Sequence, residues 1–214
     1  MVLKLYHPVE SKFIRQGFGE NWVCIKPDGT VFARTTPTCP AGSESIYKNF
    51  GMLGHNGLDY ACWDWETVFC ACEGVVTEVS TDRTSGLGIT VVSKDKYEVF
   101  GGNYKVKTRY WHLAGMNVKA GDTVRVSDIM GWADNSGYST GTHLHFDLKP
   151  VDDNGNNIFP SNGYLGAIDP VPYLQPYSAY QISGVIWKLR LAMSGILSSV
   201  ADALINQTKD AYNK

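Results

Sequence analysis

The feature that most constrains this chain is a run of short alternating segments between residues 55 and 150, each closed off by turn-forming residues. Gly74-Val75-Val76-Thr77-Glu78-Val79-Ser80 alternates from Val75 onward. Ile89-Thr90-Val91-Val92, Lys105-Val106-Lys107-Thr108-Arg109-Tyr110-Trp111 and His143-Leu144-His145-Phe146-Asp147-Leu148 read as further strands. Val118-Lys119-Ala120-Gly121-Asp122-Thr123-Val124 reads as two strand-like pieces about a Gly-Asp turn. A side-chain period of two sends neighbours to opposite faces of a sheet, and Gly, Asn, Asp and Ser clusters between the runs supply the turns. No helical period of useful length interrupts the region. The expectation is a mainly β domain, an antiparallel sheet or sandwich. With 43% hydrophobic and 19% charged residues the chain can bury a core, so a folded domain rather than a disordered chain is expected.

The flanks differ from this centre. Residues 21–50 hold a hairpin signal at Pro27-Asp28-Gly29 and a stretch rich in Thr, Pro, Cys, Gly and Ser, read as an extended surface loop or hairpin of a domain spanning 1–177. Residues 150–177 carry Pro150, Pro160, Pro170, Pro172 and Pro176 and are loop-like. Beyond them Ile182, Ile186, Leu189, Met193, Ile196, Val200 and Ala203 follow the 4-3 spacing of an apolar seam, which predicts a long C-terminal amphipathic α-helix over 178–212, in a separate unit spanning 178–214. Its stripe could dock on its own domain, form a homo-oligomer, or contact a membrane surface or a partner, although Lys188 and Arg190 are too few for a strongly basic face. Five cysteines are an odd number; Cys24 and Cys39 could close a loop, but the thiols read mostly as buried and free, and the redox compartment stays open.

Charge and hydropathy remove several function classes. A net charge of −2 argues against a nucleic-acid binder relying on phosphate contacts. No run of 18 uncharged apolar residues offers a transmembrane anchor. Met1 to Pro8 lacks the apolar core of a secretory signal, so none is expected.

The histidines carry the chemistry. His7 reads as an ordinary strand-end residue. His55-Asn56-Gly57-Leu58-Asp59 places an imidazole and a carboxylate four residues apart, on one face if the segment is extended. His143-Leu144-His145 projects two imidazoles to one side of a strand, about 7 Å apart at their Cα atoms. Two imidazoles side by side bring no packing benefit, since each needs a hydrogen-bond partner when buried. Together the two motifs supply the donors of a catalytic zinc: three N/O ligands and a fourth corner for water. Two His and one carboxylate also describe a non-haem iron site, but the arginine expected soon after the distal histidine in enzymes of the 2-oxoglutarate type is missing; the next is Arg190. His112 lies in Tyr110-Trp111-His112-Leu113, where alternation puts Tyr110 and His112 on one face.

These motifs, in this order, resemble the lysostaphin/beta-lytic metallopeptidase family, zinc endopeptidases that cut peptidoglycan cross-links. The likeness runs through Gln16-Gly17-Phe18-Gly19, Gly54-His55-Asn56-Gly57-Leu58-Asp59-Tyr60, Cys72-Glu73-Gly74-Val75-Val76, Tyr110-Trp111-His112-Leu113, Val118-Lys119-Ala120-Gly121-Asp122, Ile129-Met130-Gly131 and Ser139-Thr140-Gly141-Thr142-His143-Leu144-His145-Phe146-Asp147-Leu148. The resemblance implies that His55, Asp59 and His145 ligate one zinc ion and that His112 and His143 are the catalytic histidines. It implies an enzyme with a peptidoglycan peptide as substrate. The missing signal further leads to the expectation of a phage-type lysin, made in a host cytoplasm and released to the wall or carried in a virion. The alternative is a catalytically silent peptidoglycan-binding or virion-structural module of the same fold. The long 21–50 segment, Thr142 where proline is common and aromatic Trp111 where a small residue is common depart from the family pattern and bear on substrate fit.

Overall fold

The alternating runs become strands, and their register is what assembles the histidines. The computed structural model describes residues 1–82, 85–137, 139 and 141–179. Its strands, in chain order, are β1 (Leu5–His7), β2 (Ile14–Gln16), β3 (Val23–Ile25), β4 (Val31–Ala33), β5 (Glu44–Ser45), β6 (Leu58–Ala61), β7 (Thr67–Phe69), β8 (Gly74–Asp82), β9 (Gly86–Val92), β10 (Tyr97–Val99), β11 (Gly102–Met116), β12 (Thr123–Val124), β13 (Ile129–Ala133), β14 (His143–Val151) and β15 (Leu174–Ser178). Ten of them form one sheet whose main path runs β12-β8-β9-β11-β14-β6-β2, with β10, β13 and β7 attached beside it. Within this sheet all pairings are antiparallel. Strands β3, β4 and β5 make a separate three-stranded sheet within the 21–50 segment.

The two faces of the large sheet do different work. Along β14, Leu144, Phe146 and Leu148 are buried; along β11, Val106 and Tyr110; along β9, Ile89 and Val91; along β6, Leu58 and Tyr60. These join Leu3, Leu5, Val9, Val68 and Met130 in one apolar core, and burial of this kind is the main stabilising term of a β domain. The intervening residues of β14 are His143, His145, Asp147 and Lys149, and those of β11 include Arg109 and Trp111. The register sets Arg109 opposite Asp147, Trp111 opposite His145, and His145 opposite Asp59. The polar face therefore carries His145 and its carboxylate neighbours.

Several expectations need correction. The proline-rich segment read as loop contains β15, which pairs in parallel with β1 rather than antiparallel, Leu5 opposite Leu174; an edge strand tolerates Pro176 because its missing N–H costs no ladder bond. Of the two strand-like pieces around Gly121 only Thr123–Val124 is strand, because Asp122 closes a turn by accepting the Lys119 N–H. Cys24 and Cys39 are joined in a disulfide, whereas Cys62, Cys70 and Cys72 are free. Burial pushes the Cys72 thiol up to about 12, so it is inert at neutral pH. The helix expected over 178–212 lies, from residue 180 onward, outside the described residues. No helix among the described residues is long and apolar enough to cross a membrane.

One glycine shows how tightly the polar face is fitted. A Cβ on Gly88 would lie 2.0 Å from Trp111 Cε3, so the indole occupies the space above the neighbouring strand. Gly88→Ala should destabilise the fold by about 1–3 kcal/mol, as overpacking does. Urea denaturation of the variant beside the parent checks this, and an unchanged midpoint would refute it.

Candidate active site

The site is a cluster of imidazoles and carboxylates on the polar face, at the junction of β6, β11 and β14. Asp59 projects from β6 and His143 and His145 from β14, held side by side by the β6–β14 ladder. His55 lies just before β6, in a segment threaded between neighbours. A Cβ at Gly57 would come within 2.6 Å of the Phe146 carbonyl and 2.8 Å of the His145 ring, and one at Gly54 within 2.6 Å of the Gly19 carbonyl. Only glycine lets the chain pass so close on both sides of His55. The Gln16-Gly17-Phe18-Gly19 turn is bound to this segment: Gly19 N–H donates to the His55 carbonyl at 2.8 Å, and His55 N–H to the Glu20 carbonyl at 3.1 Å.

Three donor atoms meet. His55 Nε2 lies 2.9 Å from His145 Nδ1 and 3.0 Å from Asp59 Oδ1, and His145 Nδ1 lies 3.0 Å from Asp59 Oδ1. Ligands about 2.0–2.1 Å from a tetrahedral zinc are about 3.3 Å apart, so the triangle matches such a donor set to within a few tenths of an ångström. Among the described residues it is the group of His, Cys, Asp and Glu side chains able to hold a metal ion.

The outer ring nitrogens decide what the inner ones offer. A backbone carbonyl can only accept, so His55 Nδ1, 3.1 Å from the Gly17 carbonyl, carries the proton, and the neutral ring presents its Nε2 lone pair inward. His145 turns Nε2 towards Asp147 Oδ2 at 3.6 Å and Nδ1 towards the cluster. Burial alone would lower the His145 pKa, but Asp147 and Asp59 outweigh it and push it up to about 9. Burial likewise opposes ionisation of Asp59, yet His55 and His145 hold it well below the usual carboxylate range. The pocket thus demands positive charge, and a divalent cation answers that demand as well as a proton does. The donor set fits a metal.

His112 and His143 stand beside this triangle. Their rings are 4.5 Å apart between centroids, and His112 lies 6.2 Å from His145. His112 Nδ1 donates to the Ser136 carbonyl at 2.7 Å, and His143 Nδ1 to the Gly141 carbonyl at 2.7 Å. Both rings therefore turn Nε2 away from these carbonyls; His143 Nε2 is 3.8 Å from Asp59 Oδ1. Burial, with His143 and His145 nearby, brings His112 down to about 4, so it is neutral at physiological pH. The expectation that Tyr110 and His112 share a face is overturned. His112 has φ +66° within a β-bulge of β11, which turns its ring to the polar face, while Tyr110 stays in the core and accepts the Ala71 N–H. His7, read as a strand-end residue, ends β1 with Nδ1 3.0 Å from the Tyr60 hydroxyl.

All five residues singled out from the sequence, His55, Asp59, His112, His143 and His145, come together. Asp147 was not singled out, although the alternation His143, His145, Asp147 puts its carboxylate on the same face. It is fully buried and held by Arg109, whose Nε reaches both carboxylate oxygens at 3.0 and 2.9 Å and whose Nη2 reaches Oδ2 at 2.6 Å. The guanidinium lies 5.6 Å from the Trp111 ring centroid. The Gly17, Ser136 and Gly141 carbonyls have no side-chain signature and could not be read from the sequence.

With this geometry established, comparison with known proteins is decisive. The model of peptidase family M23 matches residues 53–160, half of the chain, and spans all five site residues. The chain belongs to peptidase family M23. Among curated relatives of this M23 chain, the glycyl-glycine endopeptidase ALE-1 of Staphylococcus capitis is 32% identical over 122 residues, covering 56% of this chain and 29% of that protein. The peptidoglycan DD-endopeptidase ShyA of Vibrio cholerae serotype O1 is 32% identical over 108 residues, covering 49% and 23%. The matched part thus spans under a third of either relative. A chain of the solved SpoIIQ–SpoIIIAH pore-forming complex aligns over 82% of the M23 chain and 93% of its own length, with a TM-score of 0.50 and 17% identity, a likeness of fold alone.

Asp147→Asn should destabilise the M23 fold by about 3 kcal/mol, the low end for breaking a buried pair, because the Arg109 side chain keeps 23% of its surface in water. Chemical denaturation at neutral pH measures this; a loss below 1 kcal/mol would show the pair to be dispensable.

Proposed function

We propose that this chain is a zinc-dependent endopeptidase that hydrolyses peptide cross-links of bacterial peptidoglycan. The observation that carries the reading is the convergence of His55 Nε2, Asp59 Oδ1 and His145 Nδ1, with two of the three held by acceptors behind them. His55, Asp59 and His145 would hold the ion. Bound there, zinc would supply Lewis acidity, bringing the pKa of water to about 7 and polarising a peptide carbonyl. The two M23 relatives described above are named for cutting glycyl-glycine and peptidoglycan bonds, which supports the substrate class.

The chain's own residues then have distinct tasks. Neutral His112 takes a proton at Nε2 from the attacking water and returns it to the leaving amine, with Nδ1 tied to Ser136 so that the ring keeps one orientation. His143, tied through Nδ1 to Gly141, would accept a proton at Nε2 from solvent and donate it as a hydrogen bond to the oxyanion. Asp147, braced by Arg109, keeps the His145 lone pair directed inward. No H-E-x-x-H helix is involved, so the base is a histidine rather than a glutamate. Action at a cell wall, as a phage-type lysin or otherwise, belongs to this proposal.

Two sets of variants separate the roles. His145→Ala and Asp59→Ala should lose zinc on elemental analysis, while His112→Ala and His143→Ala should keep it and lose roughly 10²–10⁴ in rate. Clearing of a peptidoglycan suspension should stop on exhaustive chelation and return with zinc. Undiminished clearing after chelation, or iron in place of zinc, would overturn the metal assignment.

A further inference from the structure

One tryptophan outside the histidine cluster, Trp65, does something unfavourable for stability. The segment between β6 and β7 closes as a tight turn, Glu66 N–H donating to the Trp63 carbonyl at 3.1 Å. Trp65 is the third residue of that turn and has φ +64°, a value that favours Gly or Asn there. A bulky side chain in the left-handed region costs on the order of 1 kcal/mol or more. Burial does not offset that cost, because Trp65 is 63% exposed and Trp63 57%. The Trp65 ring lies 6.3 Å from that of Trp132 on β13, inclined at 45°.

Hydrogen bonds pin the turn that carries Trp65 beside β13 and towards His143. Trp65 N–H donates to the Ala133 carbonyl at 2.9 Å, and Ala133 N–H to the Glu66 carbonyl at 2.8 Å. The nearly buried Glu66 carboxylate accepts from Glu10 N–H and Trp63 N–H, fixing the turn from beneath. Asp64, between the two exposed indoles, accepts a hydrogen bond from the hydroxyl of Thr142, the residue before His143. Asp134, next to Ala133, forms a bridge with His143.

We propose that Trp65, with Trp132, is a carbohydrate subsite that stacks a pyranose ring of the glycan strand carrying the peptide substrate. The inference rests on the peptidoglycan reading and names the second part of the substrate that the chain grips. An indole face is electron-rich and attracts the polarised C–H bonds on the flat side of a sugar. The sugar's equatorial hydroxyls need polar neighbours, which Asp64, next to Trp65 in the turn, and Thr142, hydrogen-bonded to it, can supply. A partner protein would need a broader apolar surround; here Asp64, beside Trp65 in sequence, is hydrogen-bonded to Thr142, next to His143. A preset shelf also spares the ordering cost that a mobile loop would incur on binding.

Trp65→Gly tests this without endangering the fold, because it installs the residue the turn prefers; its melting temperature should equal or exceed the parent's. With the zinc-loaded chain, a peptide-free chitin tetrasaccharide should quench parent tryptophan fluorescence at millimolar concentration and bind Trp65→Gly about five- to tenfold more weakly. KM for a cross-linked muropeptide that retains its sugars should rise by a similar factor, while kcat/KM for the sugar-free cross-linked peptide should change less than twofold. Equal losses on both substrates would assign the shelf to peptide. Dimerisation of the parent, lost in Trp65→Gly without saccharide binding, would assign it to a second copy. No saccharide quenching, or no change on any substrate, would also overturn the proposal. Failure of the peptidase reading would appear separately, as a parent that cuts neither substrate yet still binds the saccharide.

Discussion

The site depends on the acceptors that stand on the far side of each imidazole, three hydrogen-bonded carbonyls and one carboxylate. A neutral histidine has one N–H and one lone pair, and whichever nitrogen faces a carbonyl must be the donor. Gly17, Ser136 and Gly141 each place a carbonyl behind a ring, and Asp147 places a carboxylate behind the fourth. Four rings are thereby made to present lone pairs or exchangeable Nε2 positions to one side. Without those acceptors the same histidines could rotate or exchange tautomers, and neither metal affinity nor proton transfer would have a defined geometry.

Different kinds of structure supply those acceptors, and they differ in rigidity. Asp147 belongs to β14, two residues from His145, and Arg109 reaches it from the neighbouring strand in register. Ser136 is fixed by its own side chain, which donates to the Leu113 carbonyl and accepts the Leu87 N–H. Gly17 relies on the segment that follows it. Its N–H donates to Glu20 Oε2, which also accepts the Trp22 indole N–H, and Asn21 N–H donates to the Pro37 carbonyl. The Cys24–Cys39 disulfide closes the loop that contains Pro37. The 21–50 segment also carries Tyr47, whose ring lies 5.6 Å from His55 and whose hydroxyl accepts from Gln16. A stretch that reads in sequence as a surface excursion therefore buttresses the first histidine.

Period-two alternation made most of this legible. It identified the sheet, the face shared by His143 and His145, and, had it been carried two residues further, Asp147. It failed at His112, where a bulge inserts a residue in the left-handed region and reverses the face; no residue type in Tyr110-Trp111-His112-Leu113 announces a bulge. It failed again at β15, where three prolines within seven residues from Pro170 argue for loop although an edge strand accommodates one of them. The Gly54 and Gly57 clearances were visible as glycines but not as close approaches, because the Phe146 and Gly19 backbones they meet are distant in sequence. Carbonyl acceptors carry no side-chain signal, so the half of the site that fixes tautomers was hidden.

The positions of backbone strain make a related point. Among the described non-glycine residues, those with positive φ include His112 and Trp65. A sheet built for stability alone would place glycine or asparagine at both, since each costs on the order of 1 kcal/mol relative to a relaxed residue. At His112 the return is direct: the bulge moves an imidazole from the core face to the side where His143 and His145 stand. The same trade at Trp65 needs a similar return, and core packing does not provide one for a ring that is mostly in water. Phe100 shares the combination of positive φ and exposure, but Trp65 pairs its strained backbone with a second indole, Trp132, and a turn hydrogen-bonded through Thr142 to the strand of His143, so a ligand that uses that ring supplies the return.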